Sequence, residues 1–170
     1  VYKRQIEKPG VIDKQTWQSL VDSFPNTRFM MVKNNMWRTN IADLQKLASQ
    51  AKTVNIQWIR KNCIPNPGSW FTTKELAFGG VSRDLMPHLL SIYIALNPDW
   101  RKSELFYSSK EQMWKLEDID STDYGTINPN GTYDVDDFCR AYYNQKWCLE
   151  ACWRSLTETS SEVNFYQGNN

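Results

Sequence analysis

Residues 147–156 alternate strictly: Trp147, Leu149, Ala151, Trp153 and Ser155 fall on one face of an extended chain, and Cys148, Glu150, Cys152 and Arg154 on the other. Successive strand side chains point to opposite faces, so this run predicts a sheet with one face on helices and the other partly polar. Asn144-Gln145-Lys146 joins it to an earlier β run, Tyr133–Tyr143, as a hairpin. No strand is read beyond Leu156.

The first half is patterned differently. A strand over Val1–Ile6 runs into Glu7-Lys8-Pro9-Gly10, where proline and glycine stop regular structure. Asp13 then caps a helix carrying Trp17, Leu20, Val21 and Phe24 at helical spacing, broken by Pro25-Asn26. A strand over Arg28–Val32, a helix from Thr39 with Ile41, Leu44, Leu47 and Ala48 on one face, and a strand over Val54–Arg60 follow. After a long connection with Pro65, Pro67, Gly68 and Gly79-Gly80, Ser82 is placed to cap a helix carrying Leu85, His88, Leu89, Ile92 and Leu96. Residues 103–118 suit helix and strand equally. Crossover units early and antiparallel strands late predict an α+β fold, with a large open, mixed, mainly antiparallel sheet and helices on one face.

A chain of 170 residues with 41% hydrophobic and 23% charged side chains suits one globular domain, read here as residues 1–170. Twenty basic residues against nineteen acidic leave a net charge of +1, with no run of five or six like charges, so electrostatics supports neither a nucleic acid nor an anionic membrane as partner. No apolar run is long enough to span a bilayer as a helix. Cys63, Cys139, Cys148 and Cys152 have neither zinc nor thioredoxin spacing and read as reduced structural thiols of a cytoplasmic protein. Asp118, Asp120 and Asp123 lack the glycine and the final glutamate of a calcium loop, so no metal site is expected and the segment reads as a solvated acidic turn.

No G-x-G-x-x-G turn and no P-loop occurs, so nothing in the chain cradles a pyrophosphate by a known route. One constellation does carry chemistry. His88 is the only histidine, and Asp84, four residues earlier on the same predicted helix, is placed to orient its ring and stabilise its protonated form. Lys8 follows the first strand.

The ordered segments Ile6-Glu7-Lys8-Pro9, Asn35-Met36-Trp37-Arg38, Pro67-Gly68-Ser69-Trp70 and Gly79-Gly80-Val81-Ser82-Arg83-Asp84-Leu85-Met86-Pro87-His88 resemble the glucose-fructose oxidoreductase and inositol dehydrogenase family, from Val1 to about Leu156. The resemblance implies the carboxy-terminal domain of an NAD- or NADP-dependent dehydrogenase acting on a sugar, sugar nucleotide or cyclic polyol. An amino-terminal Rossmann domain is then expected upstream, as a start at Val1 without an initiator Met also suggests. Lys8, Asp84 and His88 match the family's catalytic positions, Glu7, Lys8 and Pro9 its contact with the cofactor, and Arg38 and Trp70 are candidates for substrate contacts. The Lys8-Pro9 bond is expected to be cis, and the open sheet face, apolar enough to seek a partner, to build a homo-oligomer. The alternative is a catalytically silent sugar-binding regulator or an oligomerisation module of the same fold.

Overall fold

A computed structural model describes residues 2–8, 10–156 and 159–168, with Trp37 described by its backbone alone. The Lys8-Pro9 bond therefore lies outside the described residues.

Strands β1 (Tyr2–Ile6) and β2 (Thr27–Met31) pair in parallel through the crossover helix α1 (Lys14–Ser23). Asp13 caps α1 by accepting the Thr16 amide at 2.7 Å, and these hydrogen bonds hold its carboxyl below the usual carboxylate range. Phe29 of β2 meets Trp17 and Phe24 edge-on, with ring centroids 6.1 and 6.3 Å away. Even so, no residue of α1 is buried.

The second body is a five-stranded sheet in the order β4-β5-β6-β3-β7. Its strands are β3 (Thr53–Ile59), β4 (Leu105–Glu111), β5 (Phe138–Tyr143), β6 (Trp147–Cys152) and β7 (Ser160–Tyr166). Only the β3–β6 pair is parallel, so the sheet is mixed and mainly antiparallel, as the pattern predicts. In register, Val54 faces Trp147 and Ile56 faces Leu149. Both pairs lie in the core with Leu89, Tyr93 and Leu96 of α5 (Met86–Leu96), and α2 (Ile41–Gln50) packs against α5. Complete burial of a side chain such as Leu149 contributes about 1.5–3 kcal/mol.

Three local expectations are corrected. Ser82 does not cap its helix: the Asp136 carboxylate accepts the amides of Gly80 and Ser82 and the Ser82 hydroxyl at 2.7–3.1 Å. Gly80 is needed here, because a Cβ would meet the Asp136 carbonyl oxygen at 1.8 Å. After the short α3 (Lys74–Ala77), the helix over 82–96 divides into α4 (Val81–Asp84) and α5. Pro87 has no N–H to return to the preceding turn, and it stands where α5 begins, a position that proline tolerates.

Second, β5 begins at Phe138 rather than Tyr133, and β6 ends at Cys152 rather than Leu156. The buried Asp137 takes the Met113 and Trp114 amides and the Tyr133 hydroxyl, drawing residues 133–137 out of the ladder. Third, a strand does follow Leu156: β7 pairs with β3 while Val163 and Phe165 pack against the core.

The open face also differs from expectation. The row Ser109, Arg140, Glu150, Gln57 and Glu162 crosses it, with Arg140 and Glu150 in an ion pair, so its middle is polar. Apolar rows flank it, Phe138, Cys152 and Ile59 on one side and Tyr107 and Tyr142 on the other. All four cysteines are free, and burial raises the Cys152 thiol to about 12. Among the described residues, no helix is long and apolar enough to cross a membrane.

Candidate functional site

Two turns of chain from opposite bodies build the site. Lys8 lies two residues past the carboxyl end of β1, and its ammonium donates to Asp84 Oδ1 at 3.0 Å and to the Asp84 carbonyl oxygen at 2.8 Å. The other carboxylate oxygen, Oδ2, accepts the indole N–H of Trp153 at 3.0 Å. Asp84 is thus held from both sides, by a fully buried indole behind it and a lysine in front. Because Asp84 ends α4 and His88 enters α5, both line one cleft of about 370 Å³.

His88 packs its ring against Trp58 of β3, centroids 5.2 Å apart. Its carbonyl accepts the Ser91 hydroxyl at 2.6 Å and the Asn35 amide at 3.5 Å, which fixes the backbone beneath the ring. Burial is the main force on its basicity, followed by the Lys8 charge; both lower its pKa below the ordinary 6.5, against an opposing pull from Asp84. The imidazole is therefore neutral near neutral pH, a form that accepts a proton. Asp84 does pull toward the protonated ring, as expected of it, but without a hydrogen bond to that ring. Its carboxylate makes its hydrogen bonds to Lys8 and Trp153, and its charge is outweighed at the ring.

The remaining candidates separate. Arg38 lies on the other side of His88, in a second hollow of about 350 Å³, where it donates to Asn35 Oδ1 at 3.0 and 3.3 Å. Trp70 is 60% exposed and lies tilted against Phe71, ring centroids 4.7 Å apart; Phe71, not Trp70, lines the cleft. Glu7 is exposed beside Lys8, and Pro9 lies outside the described residues.

Several residues in and around the cleft escaped the sequence reading. Trp153 belongs by alternation to the core face of a strand, and nothing in that pattern shows its N–H reaching Asp84. Asp123, read as part of a solvated turn, lines the cleft together with Tyr124, while Asp120 pairs with Arg154 at 3.0 Å. Arg60 sits one residue past β3 with its guanidinium 5.3 Å from the centre of the Trp58 ring. Lys33, half-buried, follows β2 as Lys8 follows β1, since Ile6 pairs with Met31. Burial first, and then Lys8, lower its pKa. A signal for Lys33 and Arg60 did exist: each is a basic residue just past the carboxyl end of a strand, where α/β folds bind ligands.

No family model matches the chain, and no curated protein does. Solved structures do. An NAD binding oxidoreductase from Klebsiella pneumoniae is 15% identical with a TM-score of 0.66, over 97% of this chain and 45% of that one. D-galactose-1-dehydrogenase from Rhizobium etli is 14% identical with a TM-score of 0.62, over 93% and 47%. UDP-N-acetylglucosamine 3-dehydrogenase from Acidithiobacillus ferrooxidans is 15% identical with a TM-score of 0.56, over 96% and 46%. The likeness is one of fold. This chain spans a little under half the length of each of these oxidoreductases.

Proposed function

We propose that this chain is the substrate-binding, carboxy-terminal part of an NAD- or NADP-dependent oxidoreductase acting on a hydroxyl of a sugar, sugar nucleotide or cyclic polyol. The observation that carries the reading is that Lys8, 76 residues away in sequence, pairs with Asp84, which lines one cleft together with His88. A neutral His88 accepts the proton of the reacting hydroxyl at a ring nitrogen. The Lys8 ammonium, anchored on Asp84, donates to the same oxygen and favours its anionic character. Asp84 acts through Lys8, and Trp153 through Asp84.

The residues present fit a nicotinamide on one side only. Lys8 and Glu7 stand past the carboxyl end of a parallel strand, a position suited to contact with a ring brought against the cleft. The phosphates have no glycine-rich turn in this sequence, so a dinucleotide-binding domain amino-terminal to it would hold most of the cofactor. When bound, the nicotinamide would accept the hydride. The bare β1–α1–β2 unit supports this arrangement, since a parallel sheet is ordinarily covered on both faces. Four free thiols favour a cytoplasmic setting, and apolar rows on the open face of the sheet favour a homo-oligomer.

The test is His88→Ala in the full-length protein, with the reduction of NAD or NADP followed across a panel of sugars and polyols. Turnover should fall about 100- to 10,000-fold with little change in KM. Unchanged turnover would remove His88 from the chemistry and return the alternative of a silent regulator. The 170-residue chain alone should show neither turnover nor micromolar cofactor binding by calorimetry.

A further inference from the structure

We infer that the cleft selects sugars bearing an anionic oxygen group, a carboxylate or a phosphate, and that Arg60 receives that group. This rests on the oxidoreductase reading above and names the substrate class within it.

Arg60 is fixed where it stands. Its amide donates to the Cys152 carbonyl at 2.9 Å and its carbonyl accepts the Ser155 amide at 2.8 Å, so the backbone is clamped from both sides. Two residues from Trp58 along an extended chain, it shares that residue's side of the strand and lays its guanidinium toward the indole. Trp58 in turn touches the His88 ring, so Arg60 lies one indole away from the proposed base, in the same cleft. That separation suits a group carried on the far side of a sugar ring from the reacting hydroxyl.

The guanidinium is also unspent. Arg140 and Arg154 are each paired with a carboxylate, and Lys8 with Asp84, whereas Arg60 forms no ion pair among the described residues. Asp123 lines the same cleft without pairing with Arg60. Two opposite charges held apart in one cleft fit a ligand that is anionic at one end and offers hydroxyl donors at the other. Lys33, near His88 and likewise without an ion pair among the described residues, adds to the positive side of the balance. A guanidinium presents a planar fork of donors that matches two oxygens of a carboxylate or phosphate at once.

The single histidine supplies the readout. The His88 imidazole signals are followed by NMR while glucose, glucuronate and glucose 6-phosphate are titrated in turn into the chain and into Arg60→Met. At least one anionic sugar should bind about tenfold or more tightly than glucose, and Arg60→Met should abolish the difference while leaving the glucose affinity in place. Whether glucuronate or glucose 6-phosphate gains more decides between carboxylate and phosphate. Equal binding of all three sugars, or a preference that survives Arg60→Met, overturns the inference and leaves the sugar cleft standing. If no sugar moves the His88 signal, the inference is overturned, whereas the oxidoreductase reading itself stands or falls on the turnover of the full-length protein. Should Arg60→Met not fold, Arg60→Lys decides, because it keeps the charge and loses the fork: the preference should weaken several-fold, and an unchanged preference overturns the role of Arg60.

Discussion

No residue of α1 is buried and β1 is exposed along most of its length, while Val54, Ile56, Leu149 and Ala151 of the five-stranded sheet are 0% exposed. Both bodies use the same chemistry: apolar residues at the right period, an acidic cap, tight turns. They differ in what covers them. The large sheet has α5 across one face, with α2 behind it, and stacks Tyr93 on Tyr143 at 4.8 Å; the small sheet has one helix and a pair of edge-on ring contacts. Lys8 comes from the weakly packed body and Asp84 and His88 from the other, so the candidate site is a joint between a closely packed sheet and a more exposed one.

The contrast is broken most directly by matched truncations. Leu149→Ala should cost about 2–5 kcal/mol in chemical denaturation, because its environment is close-packed on every side. Leu20→Ala, on the half-exposed face of α1, should cost about 1 kcal/mol or less. Comparable losses at both positions would show that the β1–α1–β2 unit carries more of the stability than its exposure indicates.

A second change tests the joint. Lys8→Ala in the full-length protein should lower turnover about 100-fold or more, the scale on which a donor to a developing oxyanion acts. The stability of the chain should change little by comparison, since the Lys8–Asp84 pair is partly exposed. A stability loss equal to that of Leu149→Ala, with turnover intact, would make the pair a structural clasp.

Much of this was legible in the sequence because it depends on local periodicity. The Asp13 cap, the placing of Trp147, Leu149 and Ala151 on the core face, and the end of β1 before Glu7 follow from spacing alone. What stayed hidden depends on long-range capture of polar groups. Asp136 takes over the Gly80 and Ser82 amides from 54 to 56 residues away, and Asp137 withdraws residues 133–137 from the hairpin. The strand β7 was missed because Ser160-Ser161-Glu162 is too polar to read as a strand until β3 supplies its partner. At the candidate site, Lys8, Asp84 and His88 were legible as candidates through the resemblance, which implies their roles, and their residue types suit proton transfer. Their wiring was not, since a carboxylate four residues from a histidine gives no hint that a lysine and a tryptophan will claim both its oxygens first.

The smallest expected effect is the most specific to that wiring. His88 has its pKa lowered by burial and by Lys8 and raised by Asp84, so the two partners can be removed in turn and the single imidazole titrated by NMR. Lys8→Met takes away a cation and should raise the His88 pKa; Asp84→Asn takes away an anion and should lower it further. In stability the sign is fixed by the unfolded value near 6.5. Above it both states are neutral at this residue and its contribution is complete. As the pH falls below 6.5 the unfolded chain takes up the proton first, so stability is lost progressively until the pH has passed through the lower, folded value. Lys8→Met narrows that window and Asp84→Asn widens it. Shifts in the same direction for both variants would mean that the ring responds to a change of burial, not to the two charges, and that the joint between the two bodies does not tune His88.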